Sequence, residues 1–222
     1  MKTEYRFAET LKTMMAEMPL DMISVTLLAK KCKVKRQTFY YHFHDVYDLL
    51  TLVFLNEKIE GIENVTDFKG LIKCIYDYYY KNSAFIEATI NSAGKELVQE
   101  FINNVCYQKL NKMINAIHES KNITANDRKL IARFYSLGIS NSVVYYLTAY
   151  RSKTYNGMLN CFSFLTDNFF LEAINNVNAK KGKKAWLILN LWARPKFILV
   201  KKKKCKLAVF AEILIIKKQL LL

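Results

Sequence analysis

The stretch SVTLLAKKCKVKRQTFYYHF, residues 24–43, contains two short amphipathic patterns separated by a break. In the first pattern, small and apolar residues recur at steps of three and four, namely Val25, Leu28, Ala29 and Cys32. This spacing is typical of a helix with one buried face, and Ser24 precedes it at the N-cap position. After the break at residues 33–35, residues 36–43 predict a second helix.

The second helix has two chemically different sides. At about 100° per residue, Phe39 and Phe43 fall within about 40° of each other and predict a core-facing side. The opposite arc carries only groups that hydrogen-bond or stack: Tyr40, Gln37, Tyr41 and Thr38. Lys35 and Arg36 lie at the helix N-terminus, where the helix dipole favours phosphate. Such a face suits the DNA major groove, although taken alone it also suits an ordinary solvated surface.

The combined spacing of the two helices favours DNA binding. Counting from Val25, apolar residues occupy places 4, 8, 10 and 15, and the small residue Ala29 occupies place 5. In a helix-turn-helix unit a small residue lets the two helices approach closely, and the apolar set fixes their angle. The pattern therefore predicts a helix-turn-helix.

The longer stretch SVTLLAKKCKVKRQTFYYHFHDVYDLL, residues 24–50, resembles the DNA-binding signature of TetR/AcrR transcriptional regulators. Its part RQTFYYHFHDVYDLL is most similar to the subgroup of dihydroxyacetone kinase operon regulators. The resemblance covers about residues 5–55. It implies an N-terminal three-helix DNA-binding domain, a helical ligand or partner domain, and a homodimer that binds a palindromic double-stranded operator.

The resemblance also implies which residues face DNA. Matched residue by residue, these are Thr26, Arg36, Gln37, Thr38, Tyr40, Tyr41 and His42, and Lys35 joins them by its place at the helix N-terminus. Two positions depart from the family pattern. Lys33 stands where the turn usually has Gly, and a left-handed backbone there would cost about 1–2 kcal/mol. Val46 stands where a phosphate-contacting Lys is common, which removes one expected contact.

The rest of the chain predicts helices and no strand, so the predicted fold class is all-α. The predicted helices span about residues 4–18, 45–60, 68–82, 84–92, 94–120, 125–150 and 155–176, in addition to the two above. We expect a helix-turn-helix domain over 1–50, a helical-bundle regulatory and dimerisation domain over 51–178, and a basic, apolar tail over 179–222 to which no function is assigned.

The bundle is rich in aromatic residues, which either line an effector pocket or form the core. The candidates are Tyr76, Tyr79, Tyr80, Phe85, Tyr107, Phe134 and Tyr135. The effector is either a small molecule or a protein co-regulator. The predicted helices at about 125–150 and 155–176 are apolar around most of their circumference. We therefore expect them to form the homodimer interface.

The net charge of +15 does not by itself indicate DNA binding. Residues 179–222 carry thirteen Lys or Arg residues and one Glu, which is +12 of that charge. The apolar runs in this tail are shorter than the ~20 residues that span a bilayer, so we expect no stable membrane insertion.

Nothing in the sequence predicts catalysis. No Ser/His/Asp grouping, Gly-rich phosphate loop or paired acid motif stands out, so neither an enzyme nor a cofactor is expected. The five cysteines are widely spaced without a CxxC pair, which indicates neither a metal site nor disulfides and favours the cytoplasm. The alternative function is a helical protein-interaction module without operator binding.

Overall fold

The computed structural model describes residues 3–165 and 169–179. Within these ranges the chain forms ten α-helices and no strand, which confirms the predicted all-α fold class. The helices are α1 Thr3–Met15, α2 Val25–Lys31, α3 Arg36–His42, α4 Val46–Asn56, α5 Phe68–Lys81, α6 Ser83–Ile90, α7 Lys95–Ala116, α8 Ala125–Ala149, α9 Tyr155–Asn160 and α10 Phe169–Ala179. The predicted tail at 179–222 lies outside the described residues except for Ala179.

The helices α2 and α3 are joined as the local sequence predicts. Ser24 Oγ accepts a hydrogen bond from the Leu27 N–H at 3.2 Å and caps α2. At the other end, the Val34 N–H donates to the Ala29 carbonyl and the Lys33 N–H donates to the Lys30 carbonyl. These two bonds form a Schellman motif, whose C′ residue takes left-handed backbone and is usually Gly. Lys33 occupies that position with φ 54°, so the lysine that stands in place of the usual Gly does adopt left-handed backbone.

The first three helices pack around aromatic rings. Phe7 of α1 contacts Phe39 at a centroid distance of 5.3 Å and Phe43 at 6.1 Å, both edge to face. All three phenylalanines are buried, and Leu28 and Ala29 of α2 are buried beside them. The apolar set of the helix-turn-helix pattern therefore forms the core of the unit, and the polar side of α3 is left outside.

The longer helices α5 to α8 form the bundle, in which α7 and α8 share the most extensive contact. Asp67 caps α5 through the Gly70 N–H, and Asp45 caps α4 through the Asp48 N–H. At the start of α8, Thr124 and Asp127 form a reciprocal capping box. Among the described residues, no helix is long and apolar enough to cross a membrane.

The single helix predicted over 155–176 is wrong. The chain forms α9, then tight turns over 161–164, and then α10. In the turns the Phe162 N–H donates to the Leu159 carbonyl and the Ser163 N–H to the Asn160 carbonyl, a spacing of three instead of four. The sequence carries a local signal for this break at Thr166-Asp167-Asn168, because such residues favour helix N-termini over helix interiors.

Three predicted helices are also shorter than expected. The first ends at Met15 instead of residue 18, and the fourth ends at Asn56 instead of residue 60. The helix predicted over 94–120 ends at Ala116 and is followed by a 3₁₀ segment, His118–Asn122. Apolar periodicity continues through these ends, and periodicity alone does not mark where backbone hydrogen bonding changes.

Candidate nucleic-acid interface

The outward side of α3 is a continuous polar and aromatic surface. Arg36 and Gln37 are exposed, Tyr40 is 51% exposed and Tyr41 is 84% exposed. On the opposite side, Phe39 is fully buried. Because α3 begins at Arg36, its first turn presents a guanidinium and an amide, the two side chains that most often pair with guanine and adenine edges. We call these four exposed residues of α3 the recognition face.

The other predicted DNA contacts lie around the recognition face. Lys35 is the exposed N-cap of α3, and Thr26 is exposed in the first turn of α2. Thr38 is half-buried. His42 turns toward α1, where its Nδ1 lies 3.2 Å from Glu4 Oε1 and its side chain is 20% exposed. The His42 ring also contacts the Tyr41 ring edge to face, with centroids 5.0 Å apart, so His42 lies between α1 and the edge of the recognition face.

Two members of the recognition face contact each other. Arg36 Nη2 donates to Tyr40 Oη at 3.3 Å, and the guanidinium lies 5.8 Å from the centre of the Tyr40 ring. The residues are four apart on the helix, the spacing at which side chains meet. The tyrosine holds the arginine outward, which lowers the entropy lost when the guanidinium binds a target.

The electrostatic surroundings of the recognition face are basic. Residues 22–44 contain five Lys or Arg residues and no Asp or Glu. Lys30, Lys31 and Lys33, which the sequence analysis did not assign to DNA, are exposed at the end of α2 and in the turn. The absence of acidic residues over 22–44 could have identified these three lysines from the sequence. The net charge of the whole chain does not reveal it, because most of that charge lies in residues 179–222.

The basic surface ends at α4. The Tyr47 hydroxyl donates to Asp21 at 2.9 Å, and burial, followed by that hydrogen bond, raises the pKa of Tyr47. Asp45 and Asp48 are exposed at the start of α4. Val46 is buried among them and offers no cation. These carboxylates repel phosphate, so an anionic ligand is favoured on α2 and α3 and disfavoured at the start of α4.

A polar junction connects the helix-turn-helix unit to the bundle. Glu57, the C-cap of α4, accepts a hydrogen bond from Lys12 Nζ of α1 at 2.6 Å and one from the Tyr78 hydroxyl of α5 at 2.8 Å. The side chains of Lys12 and Glu57 are only 25% and 15% exposed. Burial, followed by the charge of Glu57, raises the pKa of Tyr78 well above its ordinary value. Tyr78 therefore stays a neutral donor.

Aromatic rings surround this junction. Phe54 of α4 stacks on Phe85 of α6 at 5.4 Å and contacts Phe101 of α7 at 5.6 Å. Lys12 Nζ lies 5.4 Å from the centre of the Phe85 ring. Both α1 and α4 are thus anchored to the same part of the bundle, and a shift of α6 must move both anchors.

The seven predicted pocket residues do not surround one cavity. Tyr80 and Phe134 are exposed, and Phe85 packs at the junction. Tyr135 contacts Phe169 and Phe170 of α10. A cavity of about 10 Å³ lies between α5, α6, α7 and α8, and only Tyr79 of the seven lines it. Ligand pockets are typically about 300–1,000 Å³, so an effector pocket built from these residues stays a prediction.

The outer face of α8 is exposed, largely apolar and uncharged, with Asn141 and Thr148 as its polar residues. Phe134, Leu137 and Tyr145 are exposed on it, and a Cβ added at Gly138 would meet nothing within 4 Å. Residues 134–150 contain no charged side chain. A helix surface of this kind is unusual for solvent contact and usual for helix–helix contact. Within the described ranges, no group of three His, Cys, Asp or Glu residues is arranged to hold a metal ion.

A helix-turn-helix unit with a basic outward face, followed by a helical bundle, defines the class of DNA-binding transcriptional regulators. Residues 66–168 match the family model TetR_C_8, described as a transcriptional regulator C-terminal region. The bundle therefore matches the C-terminal region of TetR-type transcriptional regulators, in agreement with the family resemblance of residues 24–50.

A solved structure of the dihydroxyacetone kinase operon activator DhaS is similar to the chain, with 19% sequence identity and a TM-score of 0.47. The match covers 80% of this chain and 95% of that chain. No curated protein sequence matches this one.

Proposed function

We propose that the protein binds a palindromic DNA operator as a homodimer, with α3 of each copy in the major groove. The observation that carries this proposal is the recognition face, four exposed polar or aromatic residues of α3 within a stretch that has no acidic residue. Operator binding also implies a cytoplasmic location for the protein and assigns it no catalytic step.

The side chains take different roles in this proposal. Arg36 and Gln37 read base edges, because their donors and acceptors match guanine and adenine in the major groove. Thr38 contacts a thymine methyl group. The remaining predicted residues contact phosphates: Thr26, Lys35, Tyr40, Tyr41 and His42. His42 reaches DNA only if its contact with Glu4 opens, so we expect its contribution to be the smallest.

The homodimer forms through the outer face of α8 together with α10 in this proposal. The support is the exposed apolar surface around Leu137 and Gly138, where a partner helix can approach closely. A dimer also gives two recognition helices, which must lie about 34–36 Å apart to enter successive major grooves.

The signal that controls DNA binding reaches α4 through the junction of Lys12, Glu57 and Tyr78 in this proposal. The cavity beside Tyr79 is only about 10 Å³, so a small molecule could bind there only after the helices around it move apart. A protein co-regulator can act from outside. The small cavity favours the protein co-regulator for this conformation, and the predicted pocket residues remain the candidates for a small molecule.

A gel-shift measurement tests the proposal. The full-length protein is titrated against the DNA upstream of its own gene and against scrambled DNA, at several stated salt concentrations. Arg36→Ala should remove the preference for the upstream DNA, since a base-edge contact contributes about 1–3 kcal/mol of discrimination. Tyr40→Ala should do the same, because it also removes the support of Arg36.

Two control variants test whether the loss of discrimination comes from the Tyr40 ring and is specific to the recognition face. Tyr40→Phe keeps the ring beneath Arg36 and removes only the hydroxyl, so it should retain most of the discrimination. Lys121→Gln, in the exposed 3₁₀ segment that packs on α7 and α10, should change nothing. If the wild-type protein shows no preference over scrambled DNA at any salt concentration, the interaction-module function replaces operator binding.

A further inference from the structure

Lys33 adopts a backbone conformation that its side chain makes unfavourable. Among the described residues it is the only non-glycine residue with positive φ, at 54°. It closes α2 as the C′ residue of the Schellman motif, a position where Gly avoids the clash of a Cβ with the backbone. Gly at position 33 would therefore make the fold more stable than Lys does.

The side chain of Lys33 contributes nothing visible to the fold. It is exposed, and it forms no hydrogen bond, ion pair or ring contact with any other residue of 3–165 or 169–179. The core that holds this turn uses Val34 on one side and Cys32 on the other. An unfavourable residue without an internal partner points to a use outside the protein.

The position of Lys33 just before α3 suggests that its side chain contacts DNA. It lies three residues before Arg36, so the two Cα atoms are at most ~11 Å apart. When α3 lies in the major groove, the turn before it lies beside one of the phosphate strands that border the groove. DNA carries one negative charge per ~1.7 Å of helix axis, and lysine places a flexible point charge several ångströms from the backbone.

We propose that Lys33 is a phosphate-contacting residue that anchors the N-terminal end of α3 to the DNA backbone. The inference rests on the proposed DNA-binding function. The ammonium group lies outside the recognition face, so it adds affinity for any DNA sequence and does not select one. Its loss should therefore weaken operator and non-operator binding in equal proportion.

The experiment measures DNA affinity against salt for full-length variants, with the upstream DNA and scrambled duplex DNA as probes. Lys33→Gly and Lys33→Asn both tolerate left-handed backbone and both remove the charge. The slope of log Kobs against log salt should become less negative by about 0.9 for each Lys33 copy that contacts DNA. Lys33→Arg keeps the charge and should keep the wild-type slope, as should Lys121→Gln.

Thermal unfolding of the same variants excludes a folding defect. Lys33→Gly should unfold at the wild-type temperature or above it, because the strained residue has been replaced. The proposal is overturned if the Gly and Asn variants keep the wild-type slope while Arg36→Ala loses operator preference. It is also overturned if Lys33→Gly weakens binding to the operator alone. If Arg36→Ala and Lys33→Gly both leave DNA binding unchanged, the proposed DNA-binding face fails as well.

Discussion

Gly157, the third residue of α9, lies directly against Tyr146 of α8. A Cβ atom at this position would be 2.3 Å from Tyr146 Oη and 3.0 Å from Cζ. The same hydroxyl accepts a hydrogen bond from the Thr154 N–H at 2.9 Å and lies within donating distance of the Ser152 and Thr154 carbonyls. Because residue 157 has no side chain, the Tyr146 hydroxyl can reach the backbone of Ser152 and Thr154 and hydrogen-bond to the segment that connects α8 and α9.

We predict that Gly157→Ala lowers the free energy of unfolding by about 1–3 kcal/mol, the usual cost of overpacking. The measurement is urea unfolding of the wild type, the single variants and the double variant with Tyr146→Phe. Removal of the hydroxyl eliminates the shortest of the three close approaches, the others being to Tyr146 Cζ and Thr154 Oγ1, so Gly157→Ala should cost less in the Tyr146→Phe background. An equal cost in both backgrounds would show that the clash is elsewhere.

At the scale of single elements, one carboxylate at the end of α4 joins this helix to both α1 and the bundle, in addition to the packing of Phe54. Glu57 accepts from Lys12 of α1 and from Tyr78 of α5. A carboxylate that joins three helices fixes the angle of α4, and α4 sets the position of the helix-turn-helix unit that precedes it.

We predict a coupling energy of about 1.5–3 kcal/mol between Lys12 and Glu57, because hydrogen bonds to charged groups are among the stronger ones when partly buried. The measurement is a double-mutant cycle with Lys12→Met and Glu57→Gln, followed by urea unfolding. The matched control is Lys81 with Glu60, whose side chains are 67% and 85% exposed. This pair should show no measurable coupling. A coupling no larger than that of the control would remove Glu57 from the proposed signal path.

The helix N-termini that carry a capping residue could be predicted from the sequence. Ser24, Asp45 and Thr124 each cap a helix, because the hydrogen bond that they make spans only three residues. The left-handed Lys33 could likewise be predicted from its place in the turn. The break between α9 and α10 was missed because the apolar periodicity of 155–176 outweighed the polar residues at 166–168.

The part of the candidate site that depends on local sequence was also predictable. The outward direction of Arg36, Gln37, Tyr40 and Tyr41 follows from helical spacing alone. The pairing of His42 with Glu4 does not, because it depends on how α1 packs against α3, 38 residues apart in sequence. The junction of Lys12, Glu57 and Tyr78 is also a long-range contact, and no short sequence pattern predicts it.

At the scale of the whole molecule, the outer face of α8 determines the proposed assembly. Its exposed residues between 134 and 150 lack charge, so a second copy can cover them without burying an unpaired ion. The open space at Gly138 permits close approach of two helix backbones.

We predict that Leu137→Glu converts the proposed dimer to a monomer and leaves the helical content unchanged. Leu137 is already 44% exposed, so the carboxylate is tolerated in one copy but would be buried between two. Sedimentation velocity and circular dichroism measure the two properties. Leu55→Glu is the control, because Leu55 is an exposed leucine of α4 outside the proposed interface. A dimer that persists in Leu137→Glu would place the interface on another surface.

The packing of α1 against α6 has a consequence during translation. Phe85 of α6 covers both Lys12 and Phe54, so the first four helices lack part of their cover until α6 has left the ribosome. The 34 residues from Glu57 to Ile90, which follow the first four helices, take about 2–7 s to synthesise at about 5–20 residues per second. For that time the nascent chain carries a complete helix-turn-helix sequence with an uncovered apolar surface. We therefore expect ribosome-bound chains that end before residue 83 to be sensitive to proteases and to bind chaperones.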